Sequence, residues 1–508
     1  MTRVVLGLIA LVSFLVAAGI RFGVLGAWPH VQDEAAYLFQ ARVLAAGELW
    51  AAPHPLGQTV PFTVVDGEGR WFGAFPDGWP ALLAAAVWLG EGSGLAPKLP
   101  YLLNPLLVGL AVWRAGVLAG RLARRDTGAD AGVARRAAWA SAALLGFSPQ
   151  VLLLGASLMS HSWVLLCAVR AMELADHELR AGFGERRGVR GFLELGLWIG
   201  LCAWARPVCG ASLALALFAW YPDRRWGWAM VTAALPVSLQ LGHNVLLTGS
   251  PSVWPIDLYT RLLVPDRPGC SALGFGPDRG CAPGMAGHDL AGAVTNTVAN
   301  LRAWLWLVPL PVLLPALFSA ASRRILVFAA GFTALVIGVY ALYWYAGTCY
   351  GARFYHVALA PLCVAAGVGV AGLPARGFRL TLLVLVAVQW ASLTRGLPEL
   401  VNYWGMDGRF VALAANWTAG PAVILVVNEG ATMNLDLPLT GVVGQSVPPS
   451  TLYRALLSPD RDAEIYIAMA TPRALTAAAA LGRPVFRYRM YADPAQDSLE
   501  AWSGAGPR

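Results

Sequence analysis

The chain has 508 residues, of which 57% are hydrophobic and only 13% charged, with a mean hydropathy of +0.58. Soluble domains carry about 25% charged residues, so this composition excludes a soluble multidomain protein, a disordered chain and a small disulfide scaffold. What remains is a polytopic membrane protein. The net charge is +8, and Lys98 is the one lysine among 37 basic residues. The arginines fall in short clusters between apolar runs, a pattern that sets membrane orientation rather than a nucleic-acid footprint.

The first apolar run, Val4 to Leu25, exceeds a signal-peptide core and lacks a small-residue exit, so it reads as a retained span. Ten further runs have spanning character: Pro100–Gly120, Ala137–Leu154, Ser162–Ala175, Gly191–Ala205, Val208–Trp220, Gly227–Leu247, Val298–Phe318, Ile325–Ala346, Val357–Leu373 and Leu380–Leu397. The expected fold is therefore an all-α membrane bundle of about eleven spans, within a range of ten to thirteen. Gly78–Gly90 is apolar but short, and reads as interfacial or re-entrant. With Met1 inside, the inner segments hold 16 arginines in 49 residues, against six in the 129 residues of the outer loops 27–97, 248–296 and 347–355. That roughly sevenfold density difference has the sign of the positive-inside tendency. It predicts a cytoplasmic amino terminus, with both large loops and the tail after Leu397 outside. The tail alternates strand-like and helical runs (Ala422–Val427, Glu464–Met469, Ala474–Leu481), which predicts a small extracytoplasmic α/β domain over 405–508, beside a transmembrane region over 1–400.

Polar residues concentrate in the first outer loop. On a surface helix beginning near Asp33, the residues Asp33, Tyr37 and Gln40 share one face, while Glu34 and Arg42 lie on an adjacent stripe. Asp33 is either an N-cap or a chemical group, and spacing leaves both open. The run Arg70-Trp71-Phe72-Gly73-Ala74-Phe75-Pro76-Asp77-Gly78-Trp79-Pro80 suits an interfacial aromatic belt or a sugar-stacking platform. Ser160-His161 stands at a helix start. Arg206-Pro207 breaks an apolar stretch, leaving Arg206 either snorkelling to lipid phosphates or facing a cavity. Arg353, in Tyr350-Gly351-Ala352-Arg353, is the one charge of the last outer loop, and arginine suits bidentate phosphate contact. Cys270 and Cys281 share a polar outer loop and are candidates for a disulfide.

The order of these elements, Asp33-Glu34-x-x-Tyr37-x-x-Gln40-Ala41-Arg42, then Phe75-Pro76-Asp77-Gly78-Trp79-Pro80, Ser160-His161, Ala205-Arg206-Pro207 and Tyr350-Gly351-Ala352-Arg353, resembles integral-membrane GT-C glycosyltransferases. Within that class it is similar to bacterial relatives of protein O-mannosyltransferases and of the lipid A aminoarabinose transferase, over about residues 1–400. The resemblance implies a hexosyl- or pentosyltransferase of the cytoplasmic membrane. It would move a sugar, with inversion, from a polyprenyl-phosphate donor to a hydroxyl of an envelope lipid, glycan or protein at the outer face. Asp33 would then be general base. Arg353, Arg206 and His161 would hold the donor phosphate, and Glu34, Tyr37, Gln40, Asp77 and Trp79 would be supporting or acceptor contacts. Relatives often carry a second proline where this chain has Asp77. Some members of the class use a divalent metal, so a metal stays open here, although no cluster has ligand spacing. The expected partners are the donor, the acceptor and membrane lipids, with no nucleic acid. Two rival readings are a transporter or flippase for a lipid-linked substrate and an inactive GT-C-like scaffold. Against the first, no internal repeat is visible and the polar residues gather at one face.

Overall fold

The computed structural model describes residues 2–502 apart from 58, 93–97, 128–129, 181–188, 268, 281–286, 308–313, 318–319, 346, 402, 404–407, 430–432, 435–445, 448–464 and 492. Helix α1 (Thr2–Ile20) is a continuous apolar run that ends in a π-turn over Arg21–Leu25. Helix α2 (Gln32–Ala45) places Asp33 and Glu34 in its first turn, where the helix dipole favours acids. A short hairpin, β1 (Thr63–Val65) and β2 (Trp71–Gly73), and helix α3 (Gly78–Val87) follow. Helix α4 (Leu99–Thr127) has 29 residues, about 43 Å at the standard rise. Helices α5 (Ala131–Gly146) and α6 (Pro149–Ala156) meet at a bend of 56°. The bend falls where Pro149 lacks an N–H and disfavours helical geometry at Ser148.

Helix α7 (His161–Arg180) is followed by α8 (Val189–Ala205) and α9 (Pro207–Trp220), which are separated only by Arg206 in an extended conformation. Then come α10 (Trp226–Thr248), the short α11 (Pro255–Leu263), α12 (Leu290–Leu307) and α13 (Ala320–Ala341). A 3-10 turn over Arg353–Ala358 leads into α14 (Leu359–Ala371), and α15 (Ala375–Gly396) ends the helical part. All thirteen residues of α14 are buried. Its Ala, Gly and Val content lets α4, α5 and α13 close around it, as small residues do in membrane bundles.

Ten of the eleven expected runs each fall mainly on one helix, with parts of Val298–Phe318 and Ile325–Ala346 outside the described residues, whereas Ala137–Leu154, expected as one span, is divided between α5 and α6 by the bend before Pro149. Among the described residues, six helical segments have both the length and the apolarity to cross a membrane, and the bent α5–α6 pair makes a seventh if it counts as one span. The others fall short for visible reasons. Helices α8 and α9 have 17 and 14 residues, and α7 carries charges. Those charges are paired: the Glu173 carboxylate lies 2.5 Å from Arg170 and 2.8 Å from both Arg114 and Arg121. Arg170 also reaches Glu194 at 2.6 Å, and Arg125 reaches Asp176 at 3.3 Å. The network ties α4, α7 and α8 together.

After α16 (Arg409–Ala415), the carboxy-terminal segment forms β3 (Ala422–Asn428), a two-residue pair β4 (Met433–Asn434) and β5 (Ser446–Val447), β6 (Ile465–Met469), α17 (Pro472–Ala480), β7 (Val485–Met490) and β8 (Ser498–Ala501). The small sheet has the order β6-β3-β7-β8, with β3 parallel to β6 and β7, and β8 antiparallel to β7. Strand alternation gives β3 two buried faces. Ile424 and Val426 join the main core, whereas Val423 and Leu425 meet Tyr466, Ala474 and Ala478. Into this second core the first loop inserts Leu56, which is fully buried, with His54 edge-on to Tyr466 at 5.8 Å.

Truncating a buried leucine to alanine costs about 2–5 kcal/mol. Leu56→Ala is therefore expected to loosen the sheet domain from the first loop. Hydrogen exchange should rise in Pro472–Ala480 while α4 and α14 stay protected. Unchanged exchange in α17 would mean that Leu56 is not what holds the two together.

Candidate active site

Four chain segments converge on the site, and each is fixed by local chemistry. The turn Ser157–Ser160 between α6 and α7 is clamped on three sides. Asn104 Nδ2 donates to the carbonyls of Ser157 and Met159, both at 2.7 Å. The Leu158 N–H donates to Glu34 Oε1 at 2.9 Å, and Trp79 Nε1 donates to the Leu158 carbonyl at 2.8 Å. This fixes Ser160 and His161. Arg206 is presented by the α8–α9 break. Gly78 permits a close approach there, since a Cβ on it would stand 2.6 Å from the Ala205 backbone nitrogen. The third segment, Tyr350-Gly351, has two successive left-handed residues with φ of 52° and 84°. They turn the chain so that Arg353 faces α2, and a Cβ on Gly351 would overlap the Leu307 side chain. The fourth segment is the first turn of α2 itself.

At the centre, Arg353 Nη1 donates to Asp33 Oδ2 at 2.8 Å, with side-chain exposures of 5% and 14%. The guanidinium carbon of Arg353 lies 5.2 Å from the Phe354 ring, and that of Arg206 lies 5.6 Å from the same ring. Tyr340 stacks on Phe354 at 4.3 Å, and its hydroxyl accepts from Arg206 Nη2 at 3.1 Å. Arg206 Nη1 also reaches Ser160 Oγ at 3.4 Å. The imidazoles of His161 and His356 lie 6.0 Å apart, centre to centre. Both ring nitrogens of each histidine, and the Nε atoms of Arg206 and Arg353, have no hydrogen-bond partner among the described residues. Buried polar atoms left unpaired cost about 1–3 kcal/mol each, so the site is held open to hydrogen bonding. Tyr37 is buried beside Asp33, and burial together with that charge pushes its phenol up to about 12.

The structure thus gathers Asp33, Tyr37, His161, Arg206 and Arg353. Asp33 is not the cap of α2; that position is Val31, and no side chain caps it. Arg206 turns inward to Ser160 and Tyr340. Three of the other candidates sit underneath as ties. Glu34 is fully buried and accepts from the His30 and Leu158 N–H groups. Gln40 accepts from Gly73 N–H at 2.7 Å and donates to the Leu49 carbonyl, joining α2 to the hairpin. Trp79 is fully buried. Asp77 faces α10, where its carboxylate meets His243 Nδ1 and its N–H donates to Gln240 Oε1 at 2.9 Å. Burial holds the Asp77 carboxyl above its usual range, with His243 opposing. Tyr340, Phe354 and His356 were not candidates from sequence. A lone tyrosine in an apolar run and an aromatic beside an arginine carry no signal until the fold pairs them.

No group of three or more His, Cys, Asp or Glu residues that could hold a metal occurs among the described residues. The partner of Asp33 is a guanidinium, so this donor set does not fit a divalent cation. Of the expected disulfide pair, Cys270 is disulfide-bonded, whereas Cys281 lies outside the described residues.

Glu34 yields a pH test. Burial raises its carboxyl above the ordinary 4.5, against the lowering pull of Arg21 and of its two N–H donors. The folded state therefore keeps the proton where the unfolded chain has lost it. This contribution is full below about pH 4.5 and fades as pH rises toward the native value. In detergent melts, Glu34→Gln should lack that downward limb, and equal slopes for the two proteins would count against the assignment.

Neither the protein-family models nor the curated proteins include a match to this chain. Solved structures do match. The crystal structure of ArnT from Cupriavidus metallidurans bound to undecaprenyl phosphate superposes with a TM-score of 0.56 at 13% identity, covering 99% of each chain. The apo structure of the same protein gives 0.50 at 14% identity, covering 96% of this chain and 92% of that one. At such identity the likeness speaks for the fold alone, and the fold of this chain is that of these ArnT structures.

Proposed function

We propose that the chain is an inverting glycosyltransferase. It takes a sugar from a polyprenyl-phosphate donor and passes it to a hydroxyl of an envelope lipid, glycan or protein at the outer face of the cytoplasmic membrane. One observation carries this reading: a carboxylate and two guanidiniums, Asp33, Arg353 and Arg206, converge around Phe354. They do so in the fold of a protein crystallised with undecaprenyl phosphate.

The chemistry divides between the two charges. The acceptor hydroxyl must lose its proton as it attacks, and Asp33 is the carboxylate placed to take it. The new bond forms between the acceptor oxygen and the anomeric carbon, while the bond from that carbon to the phosphate oxygen breaks. The electron pair leaves with the phosphate, so the leaving group needs cationic stabilisation and no acid. Arg353 and Arg206 supply it. In the free protein Arg353 holds Asp33; an arriving donor phosphate competes for that guanidinium and releases the carboxylate to act as base.

The test is Asp33→Asn in purified protein supplied with a labelled polyprenyl-phosphate sugar. Loss of a positioned base lowers turnover by about 10²–10⁴-fold. Donor affinity should hold or rise, because Arg353 is then no longer engaged by a carboxylate. Arg353→Gln should do the reverse and weaken donor binding first. A fully active Asp33→Asn protein would falsify the mechanism.

A further inference from the structure

A recess open along one side, with an enclosed volume of about 40 Å³, lies far from Asp33. Its wall is apolar, with Leu118 and Leu122 from α4, Met172 from α7, Phe328 from α13 and Val364 from α14. Trp220, Tyr221, Asp176 and Arg324 also line it. Its place along the bundle follows from helices that have one end in the site. Asp176 stands fifteen residues beyond His161 on α7 and Arg324 sixteen before Tyr340 on α13, about 22 and 24 Å at the helical rise. Trp220 closes α9, which begins beside Arg206. The cavity therefore belongs to the opposite half of the membrane-spanning bundle.

Charge decides what fits it. Asp176, the one carboxylate in the lining, is already engaged by Arg125 at 3.3 Å. Arg324 is exposed and has no hydrogen-bond or ion-pair partner among the described residues, and its neighbour Arg323 is exposed too. An apolar recess with an uncompensated guanidinium at its edge is complementary to an amphiphile with an anionic head and a hydrocarbon tail. Basic pockets between membrane helices take such headgroups. We infer that this cavity is a binding site for an anionic glycerophospholipid of the leaflet opposite the Asp33 site, with an acyl chain among Leu118, Leu122 and Phe328 and the phosphate on Arg324.

Trp220 supplies the probe. Full-length protein in detergent is titrated with phosphatidylglycerol carrying a dibrominated acyl chain, and separately with phosphatidylcholine carrying the same chain. The Trp220 signal is taken as the difference between the wild type and Trp220→Phe. Phosphatidylglycerol should quench that component saturably, with an affinity about fivefold above phosphatidylcholine, the worth of one basic residue at a membrane surface. Arg324→Gln should bring the two lipids level. Equal quenching by both lipids in the wild type, or an unchanged preference in Arg324→Gln, overturns the assignment. Competition by undecaprenyl phosphate that exceeds competition by unlabelled phosphatidylglycerol overturns it in favour of a polyprenyl tail. Because no glycosyl transfer is read, failure here leaves the reading of the Asp33 site untouched.

Discussion

A guanidinium at the head of a wholly buried helix must meet a counter-charge. Arg353 introduces α14, the helix around which the bundle closes, and Asp33 on α2 is the carboxylate that meets it at 2.8 Å. Breaking a buried ion pair by removing one partner costs about 3–5 kcal/mol, so the first loop is obliged to lie over the bundle. Everything that steadies α2 then serves this pair. Glu34 ties it to the Leu158 turn, Gln40 to the hairpin, and Trp79 holds the same turn from the other side.

The protein treats its buried charges in two ways. Around Glu173 every carboxylate is ion-paired with an arginine from α4 or α7, and such a network ties helices together. Around Phe354 the balance is different. Arg206 leans on neutral hydroxyls, and the nitrogens of His161 and His356 go unpartnered among the described residues. The first arrangement suits architecture, and the second suits an anion that arrives and departs.

Much of the fold was legible in the sequence, because length and apolarity act locally. The eleven runs, the strand-like Ala422–Val427 run and the break at Pro207 all report backbone constraints that neighbouring residues impose, whereas the bend at Pro149 divides a run, Ala137–Leu154, that reads as one span. The convergence of Asp33, His161, Arg206 and Arg353 was legible only through order and sidedness. The role of Glu34 was not. Nothing in its spacing says that its two oxygens satisfy N–H groups 4 and 124 residues away. Tyr340 was invisible for the same reason, since its function depends on meeting Phe354 and Arg206 across the bundle. For Gln40 and Trp79 the motif leaves supporting and acceptor contacts open, and only packing shows that both are buried and bonded within the protein.

The link after the last helix bears on how far the two parts are separable. The Tyr403 hydroxyl accepts from the Tyr350 N–H at 2.9 Å, its carbonyl bonds His30 Nδ1 at 2.9 Å, and its ring lies 4.7 Å from that of Tyr350. One residue outside the bundle therefore braces both the turn that aims Arg353 and the approach to α2. A chain cut at the end of α15 would keep every charged group of the site but lose the strut that sets their angle. The geometry of this site thus draws on the tail as well as on the helices, and any replacement for the tail must restore a tyrosine at this joint and a socket for Leu56.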